Sequence, residues 1–234
     1  MTGITEQELS SFSEDFNSNP KNQIASRAAR RSGLLEASFN DRVSERLNHT
    51  FSIELDTENV TNQKHSGRCW EFASLNVLRH YFGKKNKVKN FTFSQAYNFF
   101  WDKIERANAF YDAIISLADK PINDREVQSW LQFAGEDGGL WGMAMNLVKK
   151  YGVVPSYAMP ESFNSNDTTA LIDSLARKER KDAVFLRKLV AEGKQDELKE
   201  AKKKCLNEVY RIVAVALGEP PKKFDLEYRD DDKK

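Results

Sequence analysis

Residues 69–82 place apolar or aromatic side chains on every side of a helix: Trp70, Phe72, Ala73, Leu75, Val77, Leu78, Tyr81 and Phe82. A helix apolar all round is expected to be buried, so the fold should be built around it. Ser66-Gly67 marks its start, which puts Cys69 in the first turn. The chain has 234 residues, with 15 Phe and four Trp to fill a core. That is enough for one large domain or two small ones.

Other helices follow from their end signals. Thr5-Glu6-Gln7-Glu8 reads as a capping box, with Ile4 and Leu9 placed for a hydrophobic staple, so a short amphipathic helix should run over 6–16. The polar run 17–22, with Pro20 inside it, should break it, and 23–36 is helical with a basic face at Arg27, Arg30 and Arg31. Residues 49–55 alternate loosely and read as a short strand. Ser94 is a plausible N-cap for an aromatic helix carrying Tyr97, Phe99, Phe100, Trp101, Ile104 and Phe110. Two shorter helices, 124–133 and 141–150, flank the sharp turn Asp137-Gly138-Gly139, and Gly152 stops the second. Asn166 or Asp167 should cap a long charged helix over 168–190, either a solvated arm or an oligomer contact. Gly193 interrupts it. The next helix puts Leu198, Cys205, Val209, Ile212 and Val213 on one stripe, which makes Cys205 a core residue, and Gly218-Glu219-Pro220-Pro221 ends it. Phe224, Leu226 and Tyr228 alternate with charges, so a strand is expected to begin there. The expected organisation is an amino-terminal arm (1–60), a helical domain with the nucleophile (61–165), a helical insertion (166–221) and the start of a β region (222–234).

Lys plus Arg is 36 and Asp plus Glu is 35, a net +1 that gives no reason to expect nucleic acid or an anionic membrane as partner. No leader-like or membrane-spanning apolar run is evident, so a cytosolic chain is expected, and its Asn-x-Ser/Thr triplets read as chance. Two cysteines and three histidines without ligand spacing predict neither a disulfide framework nor a metal. No cofactor is expected.

The segment Gln63 to Trp70 carries the chemistry. Free cysteine is among the most buried residue types, and alone Cys69 reads as ordinary core. A thiol in a helix's first turn, however, meets the positive end of the helix dipole, which favours the nucleophilic thiolate. Gln63, six residues upstream, can fold back so that its side-chain N–H meets a developing oxyanion, with the Cys69 backbone N–H as second donor. At Asp137-Gly138-Gly139 the two glycines expose backbone groups with which a bound peptide could pair as an added strand.

Gln63-x-x-x-Gly67-x-Cys69-Trp70 resembles the nucleophile motif of papain-like cysteine peptidases. More narrowly, Asn62-Gln63-Lys64, Ser66 to Trp70, Phe99 to Lys103, Asp137 to Gly139, Tyr151 to Pro155 and Gly218 to Tyr228 resemble the bleomycin hydrolase and aminopeptidase C family over nearly the whole chain. The resemblance implies an α+β papain-like fold, represented mostly by its helical half, and a cytosolic thiol aminopeptidase acting on peptides with a free amino terminus. It assigns Cys69 and Gln63 to catalysis and Asp137, Gly138 and Gly139 to substrate binding. It also implies a homo-oligomer, a hexameric barrel. Family members are longer, and their catalytic His and Asn lie in a carboxy-terminal β-rich part that this sequence does not reach. Catalysis by this chain alone is therefore expected to be incomplete. His80, roughly 16 Å along the helix from Cys69, cannot reach the thiol; His65 is nearer but has no orienting group; His49 reads as structural. The alternative is a non-catalytic truncated homologue that serves as a peptide-binding or assembly module.

Overall fold

The computed structural model describes residues 3–47, 50–55 and 59–230. It divides into two compact units, Met1–Leu55 and Asp56–Lys234.

The first unit carries four helices: α1 (Glu6–Ser18), α2 (Pro20–Ser32), α3 (Leu34–Ser38) and α4 (Asp41–Ser44). The capping box at Thr5 is formed, the Thr5 hydroxyl accepting from Glu8 N and the Glu8 carboxylate accepting from Thr5 N at 2.7 Å. Pro20 does not lie in a connecting loop as expected. It opens α2 at the position where its missing N–H costs nothing, and Asn19 caps it. Gly33, at φ +90°, then separates α2 from α3 where one helix was expected. None of the described residues in this unit is buried. The strand expected over 49–55 is not formed in residues 50–55, and His49 lies outside the described residues.

The second unit holds α5 (Cys69–Asn86), α6 (Gln95–Ser116), α7 (Arg125–Gln132), α8 (Trp141–Tyr151), α9 (Phe163–Asn166), α10 (Thr169–Ala191) and α11 (Gln195–Leu217). Its centre is α6, which packs against α5, α7, α8, α10 and α11. Ser94 caps α6 by accepting from Tyr97 N at 3.0 Å, and the Ser94 hydroxyl in turn donates to Met159 O. The aromatic run of α6 is core: Phe99, Phe100, Tyr111 and Ile114 meet Leu175 and Leu186 of α10 and Val209 and Val213 of α11. The long charged helix is therefore no solvated arm. One face of α10 is buried, and its Asp182 accepts from the Tyr111 hydroxyl at 2.5 Å. Cys205 lies in this core, as its place on the stripe predicts.

Two further expectations are corrected. The helix α5 is not buried all round: Ala73, Val77 and Tyr81 are exposed along one stripe, because α6 and α8 pack only against its other faces. Segment 224–228 makes no strand. Its backbone is held by one side chain, the Tyr157 hydroxyl, which donates to Asp225 O at 2.7 Å and accepts from Glu227 N at 2.8 Å. Among the described residues β structure is limited to two isolated bridges, His65 with Asp167 and Phe93 with Pro155.

Candidate active site

Cys69 is the first residue of α5, and its thiol is exposed while Cys205 is buried. No side chain caps this helix. Arg68 O receives the N–H groups of Glu71 and Phe72 at 3.0 and 2.9 Å, whereas those of Cys69 and Trp70 have no intramolecular partner among the described residues. An exposed thiol thus stands beside unclaimed donors at the positive end of an 18-residue helix.

The loop before it is closed by its own side chains. Gln63 Nε2 donates to Ser66 O at 2.6 Å, and the Ser66 hydroxyl donates to Gln63 O at 2.6 Å. One of the two Nε2 hydrogens is therefore occupied locally, and the other has no partner among the described residues. His65 is exposed. Its backbone pairs with Asn166 O at 2.9 Å and Thr168 N at 3.1 Å, which fixes the loop against the start of α10.

Arg68, wholly buried, anchors this head group. Its guanidinium grips the Glu161 carboxylate at 3.1 and 2.7 Å, donates to Ser165 O at 2.6 Å and Ser66 Oγ at 3.0 Å, and lies over the Phe72 and Phe99 rings. Behind Cys69, Glu71 is also buried, and neither carboxyl oxygen has a hydrogen-bond partner. Burial pushes its pKa well above the usual carboxylate range, against the pull of Arg68, so Glu71 favours the neutral acid.

Segment 136–140 runs alongside. Asp137 is turned inward: its carboxylate accepts from Gly67 N and from the Thr168 hydroxyl, each at 2.7 Å, and its carbonyl accepts from Trp70 Nε1 at 2.9 Å. The approach is close enough to require glycine on both sides. A Cβ on Gly67 would stand 2.2 Å from Asp137 Oδ1, and one on Gly139 would stand 2.6 Å from the Trp70 ring. The N–H and C=O of Gly139 have no intramolecular partner among the described residues.

Sequence reading singled out Cys69, Gln63, Asp137, Gly138 and Gly139 but not the residues that hold them, and Asp137, expected to meet substrate, has its carboxylate and carbonyl already engaged by Gly67, Thr168 and Trp70. Arg68, Glu161 and Thr168 gave no periodic signal because they converge from distant segments. The pair Asp102 and Arg106 was accessible in principle, since four-residue spacing on a helix predicts an ion pair. Among the described residues no group of three or more His, Cys, Asp or Glu is arranged to hold a metal, and no helix is long and apolar enough to cross a membrane.

An exposed cysteine at the head of a helix, with a glycine-opened segment packed on the following tryptophan, fits the helical half of a papain-like peptidase fold. The chain belongs to the Peptidase C1-like family, whose model matches residues 3–234. It is 67% identical over 231 residues to aminopeptidase E of Lactobacillus helveticus, covering 99% of this chain and 53% of that protein. It is 46% identical to aminopeptidase C of Lactobacillus delbrueckii subsp. lactis, covering 94% of this chain and 50% of that one. The crystal structure of PepW from Lactobacillus rhamnosis superimposes with a TM-score of 0.96 at 45% identity, covering all of this chain and 52% of that one. The chain spans about half the length of the curated relatives it matches.

Proposed function

We propose that this chain carries the nucleophile and peptide-pairing edge of a cysteine aminopeptidase that removes amino-terminal residues from peptides. The observation that supports it most is the exposed Cys69 thiol set beside unclaimed N–H groups and the unpaired edge of Gly139. In this reading Gly139 pairs with the substrate backbone, and Leu140 and Trp141, 73% and 52% exposed, offer apolar surface to its side chains. Cys69 Sγ attacks the carbonyl carbon, and the oxyanion takes hydrogen bonds from the Cys69 N–H and the second Nε2 hydrogen of Gln63. A base takes the thiol proton and, once protonated, returns it to the amine as collapse breaks the C–N bond and leaves a thioester; water then hydrolyses the thioester and frees Cys69. His65 is a poor base here, since its backbone is fixed to the start of α10 and no side chain among the described residues hydrogen-bonds its ring. We assign the base and its orienting Asn to the β-rich half that the family resemblance implies. The same resemblance supports a cytoplasmic homo-oligomer.

The test is hydrolysis of a fluorogenic aminoacyl amide by the chain, with Cys69→Ala as control, alongside alkylation of Cys69 by an aminoacyl chloromethyl ketone. Turnover lost in Cys69→Ala supports the peptidase reading and shows that a base is within reach. Saturable alkylation without turnover supports a nucleophile and peptide edge that lack their base. Hydrolysis that survives Cys69→Ala, or a Cys69 that reacts without saturation, overturns it.

A further inference from the structure

Three consecutive carbonyls of segment 136–138 are each held by a side-chain donor. Lys103 Nζ donates to Glu136 O, Trp70 Nε1 donates to Asp137 O at 2.9 Å, and Arg106 Nη2 donates to Gly138 O. Lys103 and Arg106 of α6 thus take the carbonyls of 136 and 138, and Trp70 of α5 takes the one between them. Residue 137 is closed by Trp70, and residue 139 is left open. Side chains of α5 and α6, not a paired strand among the described residues, hold this backbone.

Arg106 has the geometry to be decisive. Its Nε lies 2.9 and 2.8 Å from the two oxygens of Asp102, one turn earlier on α6, which orients the guanidinium plane. Its guanidinium carbon lies 5.9 Å from the Trp70 ring centre, on the same tryptophan that backs Gly139. Lys103 is fully buried, but the Arg106 side chain is 25% exposed and borders two open cavities, of about 370 and 270 Å³, among α6, α7 and α8. Removing its head group would admit water rather than leave a dry hole.

We propose that Arg106 is a positioning residue for substrate: by holding the Gly138 carbonyl it fixes the orientation of the Gly139 edge before a peptide arrives. The inference rests on the peptide-pairing role given to Gly139 above. Gly138 and Gly139 are the residues with most backbone freedom to lose. Without the Arg106 contact, substrate must order them on binding. Ordering one residue's backbone corresponds to about a tenfold loss of affinity, while the thiol itself is untouched.

The experiment compares alkylation of Cys69 by iodoacetamide, which needs no edge, with alkylation by a dipeptidyl chloromethyl ketone, which does. Each is followed by intact mass on the full chain and on Arg106→Gln. The wild type is expected to show saturation with the peptidyl reagent. In Arg106→Gln the half-saturating concentration should rise about tenfold, with the limiting rate and the iodoacetamide rate unchanged. An unchanged half-saturating concentration overturns the role of Arg106. Absence of saturation in the wild type overturns the peptide-edge reading itself, and this inference with it. If Arg106→Gln melts early, Arg106→Lys decides. It keeps a cation beside Asp102 but cannot span Asp102 and the Gly138 carbonyl with one planar fork; its half-saturating concentration should still rise severalfold, and an unchanged value overturns the proposal.

Discussion

Glu179 of α10 accepts the N–H of Gly135 at 3.0 Å, and burial pushes its carboxyl up to about 7 against that hydrogen bond and the nearby Lys103. The folded protein therefore keeps a proton on Glu179 between about pH 4.5 and 7, where the unfolded chain has lost it. Stability falls as pH rises through that window and levels off above it. The upper bound on the loss is on the order of 3 kcal/mol. Glu71 adds a slope of the same sign. Glu179→Gln keeps an acceptor for Gly135 without the ionisation. Thermal melts at pH 5 and pH 7.5 should show a smaller drop in Tm for the variant than for the wild type. Equal drops would remove Glu179 from the pH dependence. None of this could be read from sequence, where Glu179 is one of many charges on a helix; its burial arises only when α10 lies on α6.

At the scale of elements, the two glycines of segment 136–140 have different jobs. A Cβ on Gly138 meets nothing within 4 Å, whereas one on Gly139 would strike the Trp70 ring. Neither position has a positive φ, so the contrast is steric. Gly138→Ala should leave the urea midpoint nearly unchanged, and Gly139→Ala should cost about 1–3 kcal/mol through overpacking. Equal losses in both would mean that backbone freedom, not contact with Trp70, sets the requirement. The helix ends themselves were well marked in the sequence: Thr5 and Ser94 cap their helices as expected, and Gly152 and Gly218 stop theirs. The cap of α10 was narrowed to Asn166 or Asp167 but falls on Thr168, because Asn166 closes the four-residue helix α9 first.

Taken whole, the molecule leaves much apolar surface uncovered. In the first unit Leu9, Phe12 and Phe16 are 55%, 58% and 45% exposed, and in the second the α5 stripe shows Val77 and Tyr81 at 42% and 67%. That surface should drive self-association of the chain. Light scattering over a concentration series should report growing mass, and ANS fluorescence should exceed that of a covered globular protein. A monodisperse monomer that leaves the dye dark would show that this surface is not sticky.

The sequence by itself marked the longer helices and where most of them start and stop, and it placed Cys205 in the core. Caps, glycine stops and apolar periodicity are local, and local physics is written in neighbouring residues. It also singled out Gln63, Cys69, Asp137, Gly138 and Gly139 as candidates, through the family resemblance of their segments rather than through types and spacing alone. Only the tertiary structure decided which face of α5 stays open, that α10 belongs to the core, and that Arg68, Lys103, Arg106 and Thr168 hold the segments around Cys69 and Gly139. Those roles depend on groups brought close from 30 to almost 100 residues away, and no periodicity within one segment encodes such a meeting.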